Sequence, residues 1–192
     1  MRPMSELFVP TGGTLGQILF ENPGAAIEPR LEFFVEIRFQ PTEIDDEEMT
    51  PLLRVNSIIV PSRSWKELEN QTYEFPYYPK PGSVDAAMML FGEQNPADVT
   101  GLAFGEISDG KISLQFETEV DFEIEANRDD LEQMEMTFNL SLEPGPLRIG
   151  TSIEKKLNGD DAEISEFAKQ FVDLDAYGPI EKVPGGFILP VA

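Results

Sequence analysis

Neither cysteine nor histidine occurs anywhere in the 192 residues. Without a thiol there is no disulfide framework, thiolate nucleophile or Cys-ligated zinc. Without an imidazole, Ser-His-Asp and Cys-His catalysis, histidine metal sites and histidine pH switching are closed to this chain. Cations are scarce as well: 14 Lys and Arg stand against 36 Asp and Glu, a formal net charge of −22. Such a field repels phosphate, so direct binding to nucleic acid or an anionic membrane is not expected, whereas a basic partner or plain solubility is. Long hydrophobic runs are missing too. The start, MRPMSELFVPTGG, has one Arg but no continuous apolar stretch, so neither a secretory signal nor a membrane span is expected there, and the expected location is the cytoplasm.

What the chain does have is period-two alternation, the mark of half-buried strands. Its length suits a single domain over residues 1–192 with a sizeable core. In LEFFVEIRF, Leu31, Phe33, Val35, Ile37 and Phe39 share one face. LLRVNSIIV, VDAAMMLFG and VTGLAFGEI read as further strands, with EQNPAD as a turn between the last two. Asp109-Gly110 is the pair favoured in two-residue type I′ hairpins. MEMTFNLSL turns Met134, Met136, Phe138, Leu140 and Leu142 inward, and Pro144-Gly145-Pro146 is expected to end it. Residues 1–30 mix Gly and Pro around Ile18-Leu19-Phe20 and read as an irregular arm or edge strand. Glu43 to Glu48, EIDDEE, reads as a solvated loop, and Ser64 with Glu67 as a capping box opening a short helical turn at Trp65. Late in the chain, Ile164, Phe167, Ala168, Phe171 and Val172 recur at helical spacing behind Asp161, which predicts one amphipathic helix over 161–177. The last residues, GGFILPVA, suit a final strand or a packed segment. The expected fold is therefore mainly β: an antiparallel β-sandwich or curved sheet with one C-terminal amphipathic helix.

The stretch FETEVDFEIE, within a strand expected from Ile112 to about Ala126, carries the sharpest functional signal. Its even side, Phe116, Thr118, Val120, Phe122 and Ile124, faces a core. Its odd side is Glu117, Glu119, Asp121, Glu123 and Glu125, about 6.6 to 6.8 Å apart at twice the strand rise. Between Ile112 and Leu147 there are ten acids and one base, Arg128, so nearby sequence does not neutralise this row. Two readings stand: a charged solvent face that discourages edge-to-edge association, or a rigid carboxylate array that imitates a phosphate backbone for a basic partner.

Other signals are less specific. EIDDEE and NGDDAE gather oxygen ligands but lack the D-x-[DN]-x-[DN]-G calcium loop, so no metal site is assigned, and Asp160-Asp161 suits a helix start. A carboxylate acid and base pair needs no histidine, yet 36 acids give no way to select two. S-x-x-K at Ser152 lacks its companion motifs, and TGGTLG at Thr11 lacks the P-loop ending, so no cofactor is expected. YEFPYYP, Tyr73 to Pro79, is either a sugar- or peptide-binding platform or core packing of Tyr73, Phe75 and Tyr77; core packing is the preferred reading.

Trp65, Phe75-Pro76, Leu90-Phe91-Gly92, Asn95-Pro96 and Val99, followed by a hairpin, resemble a pattern in a group of small acidic bacterial proteins of uncharacterised role. The resemblance spans about the middle half of the chain, and its Gly and Asn-Pro positions place turns rather than chemistry. Proteins of this kind look like immunity proteins of bacterial toxin systems. The resemblance thus implies a non-enzymatic inhibitor that occludes a basic protein partner such as a toxin nuclease, and the alternation supplies Glu117, Glu119, Asp121, Glu123 and Glu125 as the expected partner-binding row. The alternatives are a structural or assembly β-domain of a larger complex and a carbohydrate-binding sandwich.

Overall fold

The computed structural model describes residues 7–44, 46–90, 92–122 and 133–192. Its strands are β1 (Pro10–Asn22), β2 (Ile27–Phe39), β3 (Thr42–Ile44), β4 (Glu47–Met49), β5 (Leu52–Ile58), β6 (Thr72–Glu74), β7 (Asp85–Leu90), β8 (Glu93–Ser108), β9 (Lys111–Val120), β10 (Met134–Ile149), β11 (Glu181–Val183) and β12 (Gly186–Leu189). Two helices, α1 (Thr151–Lys156) and α2 (Asp161–Ala168), lie between β10 and β11.

The protein is mainly β, but its sheet is a barrel and not a sandwich. Seven strands follow one another in the order β1-β2-β5-β7-β8-β9-β10, and β1 then pairs with β10 to close the ring. Each neighbouring pair along that path is antiparallel. Six reversals leave the first and seventh strands pointing the same way, so the closing pair has to be parallel, and it is. Closure removes the open edges a sandwich would leave. The hairpin β11–β12 extends the sheet from β10, and β6 adds to β8.

Two segments account for the difference. Residues 10–22 are neither an irregular arm nor an edge; they form β1, hydrogen-bonded on both sides. Its glycines answer close packing. A Cβ on Gly13 would stand 2.6 Å from Leu142 Cδ2 and 2.7 Å from the Glu36 carbonyl oxygen, and one on Gly16 would stand 1.9 Å from the Phe34 ring. Glycine in a strand often marks such an approach. Likewise, Pro144-Gly145-Pro146 does not end β10. The register against β1 skips there, Leu15 facing Pro144 and Gln17 facing Leu147, so the missing proline N–H groups fall at an irregularity in the ladder. Gln17, fully buried, donates from Nε2 to the Gly145 carbonyl at 2.9 Å. The strand beyond that skip completes the ring.

EQNPAD is likewise no turn. It opens β8, and the reversal comes at Gly92, whose φ is +77°. Asn95, fully buried, donates from Nδ2 to the carbonyls of Met88 and Leu90 across the hairpin, at 3.1 and 3.2 Å. Of EIDDEE, Glu43 and Ile44 lie on β3 and Glu47 and Glu48 on β4, a hairpin rather than a loop. The Asp109-Gly110 turn is as expected: both residues have positive φ, at 52° and 73°, and Ser108 faces Lys111.

Inward positions fill the barrel. Leu15, Phe33, Ile37, Leu53, Met88, Leu102, Phe116 and Leu142 are among the buried side chains, and the Phe116 and Phe138 rings stack at 6.4 Å. The segment 62–68 and the C-terminal region pack together. Arg63 donates from Nη2 to the carbonyls of Lys169 and Val172, and the Asp173 N–H returns a bond to the Arg63 carbonyl. Trp65 and Leu68 are buried in a 3-10 turn, but Ser64 makes no side-chain cap; Glu67 instead accepts from the Arg63 N–H at 2.6 Å. Tyr177, also buried, donates its hydroxyl proton to Gln17 Oε1.

The late helix is shorter than the periodicity implied. α2 stops at Ala168, whose carbonyl accepts from both Phe171 and Val172, and a 3-10 turn at Leu174–Ala176 follows. Its cap is Asp160, not Asp161: Asp160 Oδ1 accepts from the Glu163 N–H at 2.9 Å. Ile164 and Ala168 do face inward. The closing strand expected in GGFILPVA is β12. Among the described residues no helix is long and apolar enough to cross a membrane.

Candidate functional site: an acidic sheet face

β9 alternates as its sequence requires. Ile112, Leu114, Phe116, Thr118 and Val120 are buried, while Ser113, Gln115 and Glu117 are exposed and Glu119 is half-buried. The strand ends at Val120 rather than near Ala126; Asp121 and Phe122 follow it, half-buried and buried respectively. The Asp121 N–H still bonds the Pro96 carbonyl at 2.9 Å. Glu123 and Glu125, the remainder of the expected row, lie outside the described residues.

Register supplies what the linear sequence hides. Glu119 faces Asp98 on β8 and Glu135 on β10, so three carboxylate residues stand abreast across three strands, about 4.8 Å from one strand to the next. Like charges directly opposite oppose folding by a few tenths of a kcal/mol or more per pair, roughly the range measured for cross-strand pairs. Glu117 faces Gly101 and Thr137. A Cβ on Gly101 would come within 2.9 Å of Glu117 Oε2, so the glycine leaves room for that carboxylate.

Two tyrosines complete the face. Phe75 donates its N–H to the Thr100 carbonyl at 3.0 Å and so holds the following FPYYP step alongside β8. The Tyr77 hydroxyl donates to Glu119 Oε2 at 3.2 Å, and the Tyr78 N–H donates to Asp98 Oδ1 at 2.8 Å. Core packing of Tyr77 is therefore overturned: Tyr77 is 42% exposed and Tyr78 77%. Tyr73 and Phe75 are half-buried against the core, as expected. A groove of about 190 Å3 runs between Tyr77, Thr100, Glu117, Glu119, Glu135 and Thr137.

Among the described residues no ion pair engages Asp98, Glu117, Glu119 or Glu135, whereas Glu32, Glu36 and Glu143 each have a cation within 4 Å. Nor does any group of three carboxylates among the described residues come close enough together to hold a metal ion. What the face offers is hydrogen-bond acceptors and negative potential beside two exposed aromatic rings. The Glu119 charge, with the hydrogen bond to it, pushes the Tyr77 phenol above its ordinary value. Removing that negative neighbour makes the phenolate less costly to form, so Glu119→Gln should lower the Tyr77 pKa toward 10, the ordinary value. Ring-proton NMR through an alkaline titration reads this directly, and an unmoved Tyr77 midpoint would mean that Glu119 is not the cause.

Of these residues the alternation picked out Glu117, Glu119 and Asp121. It missed Asp98, hidden inside the supposed EQNPAD turn. Glu135 was legible as an outward position of MEMTFNLSL, but only pairing with β9 brings it to Glu119. Comparison with protein-family models, with curated proteins and with solved structures found nothing that matches this chain.

Proposed function

We propose that the protein is a non-enzymatic acidic binding protein whose β8–β9–β10 face covers a basic protein partner, in the manner of an immunity protein or inhibitor of a bacterial toxin nuclease. The observation that carries this reading is the row Asp98, Glu119 and Glu135, with Glu117 beside it, which meets no ion pair among the described residues. A closed barrel holds the backbone beneath these carboxylates in paired strands, so docking of a cationic surface has to order side chains but no backbone. Negative potential speeds encounter, and Tyr77 and Tyr78 offer the exposed aromatic surface that interface hot spots favour. Occlusion is the mechanism, with carboxylates standing where a nuclease would hold phosphates.

Affinity capture from the source cells tests it. The wild-type chain should retain a basic protein at low ionic strength and release it as salt rises, because the Debye length shrinks from about 30 Å at 0.01 M to about 3 Å at 1 M. Recovery of no cationic protein, or of one equally retained by a chain carrying Glu117→Lys and Glu119→Lys, counts against the reading. The exposed tyrosine rings beside the facing pair Glu119 and Glu135 favour a second reading, a sugar-binding face. Oligosaccharide that protects the Tyr77 and Tyr78 ring signals, independently of salt, would select it.

A further inference from the structure

Arg148 sits on β10 thirteen positions beyond Glu135, about 40 Å away at about 3.3 Å per residue, so this region is separate from the acidic face. There β10 runs between β1 and β12, and Arg148 lies directly between Ile18 and Ile188. The turn joining β11 to β12 rises beside them. Together they form a groove of about 530 Å3, lined by Ile18, Pro146, Arg148, Thr151, Pro184 and Ile188 among others. That volume is in the range of small-molecule sites.

The guanidinium is free for a ligand. The other arginines among the described residues are engaged: Arg30 by Glu32, Arg38 and Arg54 by Glu36, and Arg63 by two backbone carbonyls. Arg148 alone of these has neither an ion pair nor a side-chain hydrogen bond among the described residues, in a chain with 36 acids. Arg148 is exposed and Ile18 and Ile188 are half-buried, and a planar guanidinium with apolar neighbours on both sides suits bidentate capture of a carboxylate. Thr151, exposed in the same lining, adds a hydroxyl. The turn keeps one side open: Gly185 has φ +95°, and a Cβ there would meet nothing within 4 Å.

The neighbouring charges narrow the ligand further. Glu154 Oε2 would stand 3.2 Å from a Cβ on Gly186, and Glu181 faces Ile188 across the hairpin. These carboxylates oppose a doubly charged phosphate more strongly than a single negative charge. Isoleucine and proline walls call for an apolar body behind that charge. The geometry points to a binding site for a small monocarboxylate with an apolar body, its carboxylate held by Arg148 and its body laid against Ile18, Ile188 and the flanking prolines.

Titration of the full chain with hexanoate, followed by amide NMR, tests this. Saturable shifts are expected at Ile18, Arg148, Thr151, Gly185 and Ile188. Hexanol, which has the body without the charge, and inorganic phosphate, which has charge without the body, should each bind at least tenfold more weakly. Arg148→Gln should lower hexanoate affinity tenfold or more, with Arg148→Lys retaining part of it, while an otherwise unchanged spectrum shows the barrel intact. Ile18→Ala should weaken hexanoate but leave acetate unaffected. Shifts that do not saturate, that scatter over the surface, that persist equally in Arg148→Gln or that hexanol reproduces at the same concentration overturn the proposal. None of these outcomes depends on whether the acidic face binds a basic protein.

Discussion

Gly13→Val is expected to lower the free energy of unfolding by about 3 kcal/mol or more, at the upper end of what overpacking costs. For a chain of this size that is a fall in midpoint of roughly 6 to 12 °C. The position is tight on two sides at once. Even a bare Cβ would lie 2.7 Å from the Glu36 carbonyl oxygen on β2 and 2.6 Å from Leu142 Cδ2 on β10. The leucine end can swing aside, but the carbonyl belongs to the ladder and cannot move without loosening β1 from β2. Gly24→Ala is the matching control, since a Cβ there meets only Asn22 Oδ1, at 3.4 Å. Leu142→Ala should cost less in the Gly13→Val background than it does alone, a coupling that two independent sites would not show. Thermal or denaturant unfolding of the four variants decides it. A neutral Gly13→Val would mean that β1 does not close the ring at the register described.

The second large effect falls on binding. Glu117→Lys together with Glu119→Lys should weaken the complex with a basic partner at least a hundredfold, about 3 kcal/mol, whereas Glu43→Lys with Glu48→Lys on the β3–β4 hairpin should cost about fivefold or less. Both pairs change the net charge by the same amount, so a difference between them reports place rather than total charge. Stability should move the other way. A lysine at position 119 sits between Asp98 and Glu135 and converts two like-charge neighbours into opposite ones, worth a few tenths of a kcal/mol each even after the Tyr77 hydrogen bond is lost. A face retained for binding at the expense of stability is expected to show this opposition. Equal losses of affinity from both pairs, measured by titration calorimetry, would leave only long-range attraction, and the Glu117–Glu119 row would have no special part in it.

How far the sequence carried varies by segment, for physical reasons. Where one face is buried and the other wet, alternation is unambiguous, and Leu31–Phe39 of β2, β9 as far as Val120 and the first half of β10 lie where the pattern puts them. β1 was hidden because close packing against Phe34 and Leu142 replaces apolar side chains with glycine, the residue that otherwise signals a loop. Asn95-Pro96 reads as a turn on composition. Here a buried asparagine donates to the opposite strand, and Pro96, facing Ala87, leaves β8 continuous. Barrel against sandwich hinged on one strand pair, and both its partners carried such disguises. The site shows the same division. Glu117 and Glu119 follow from the pattern of a single strand, but Asp98, Glu135 and Tyr77 join them only through pairing between strands far apart in the chain.

The parallel pair that closes the ring also sets an order of events during synthesis. β1 leaves the ribosome before β2, its neighbour in the chain, yet its other edge has no partner until residues 142–149, the far half of β10, are made. Until then a nascent chain presents a bare strand edge, the kind that recruits neighbours on a polysome. The acids spread through the intervening segments would keep such chains apart by mutual repulsion, a service rendered before there is any folded surface to bind with.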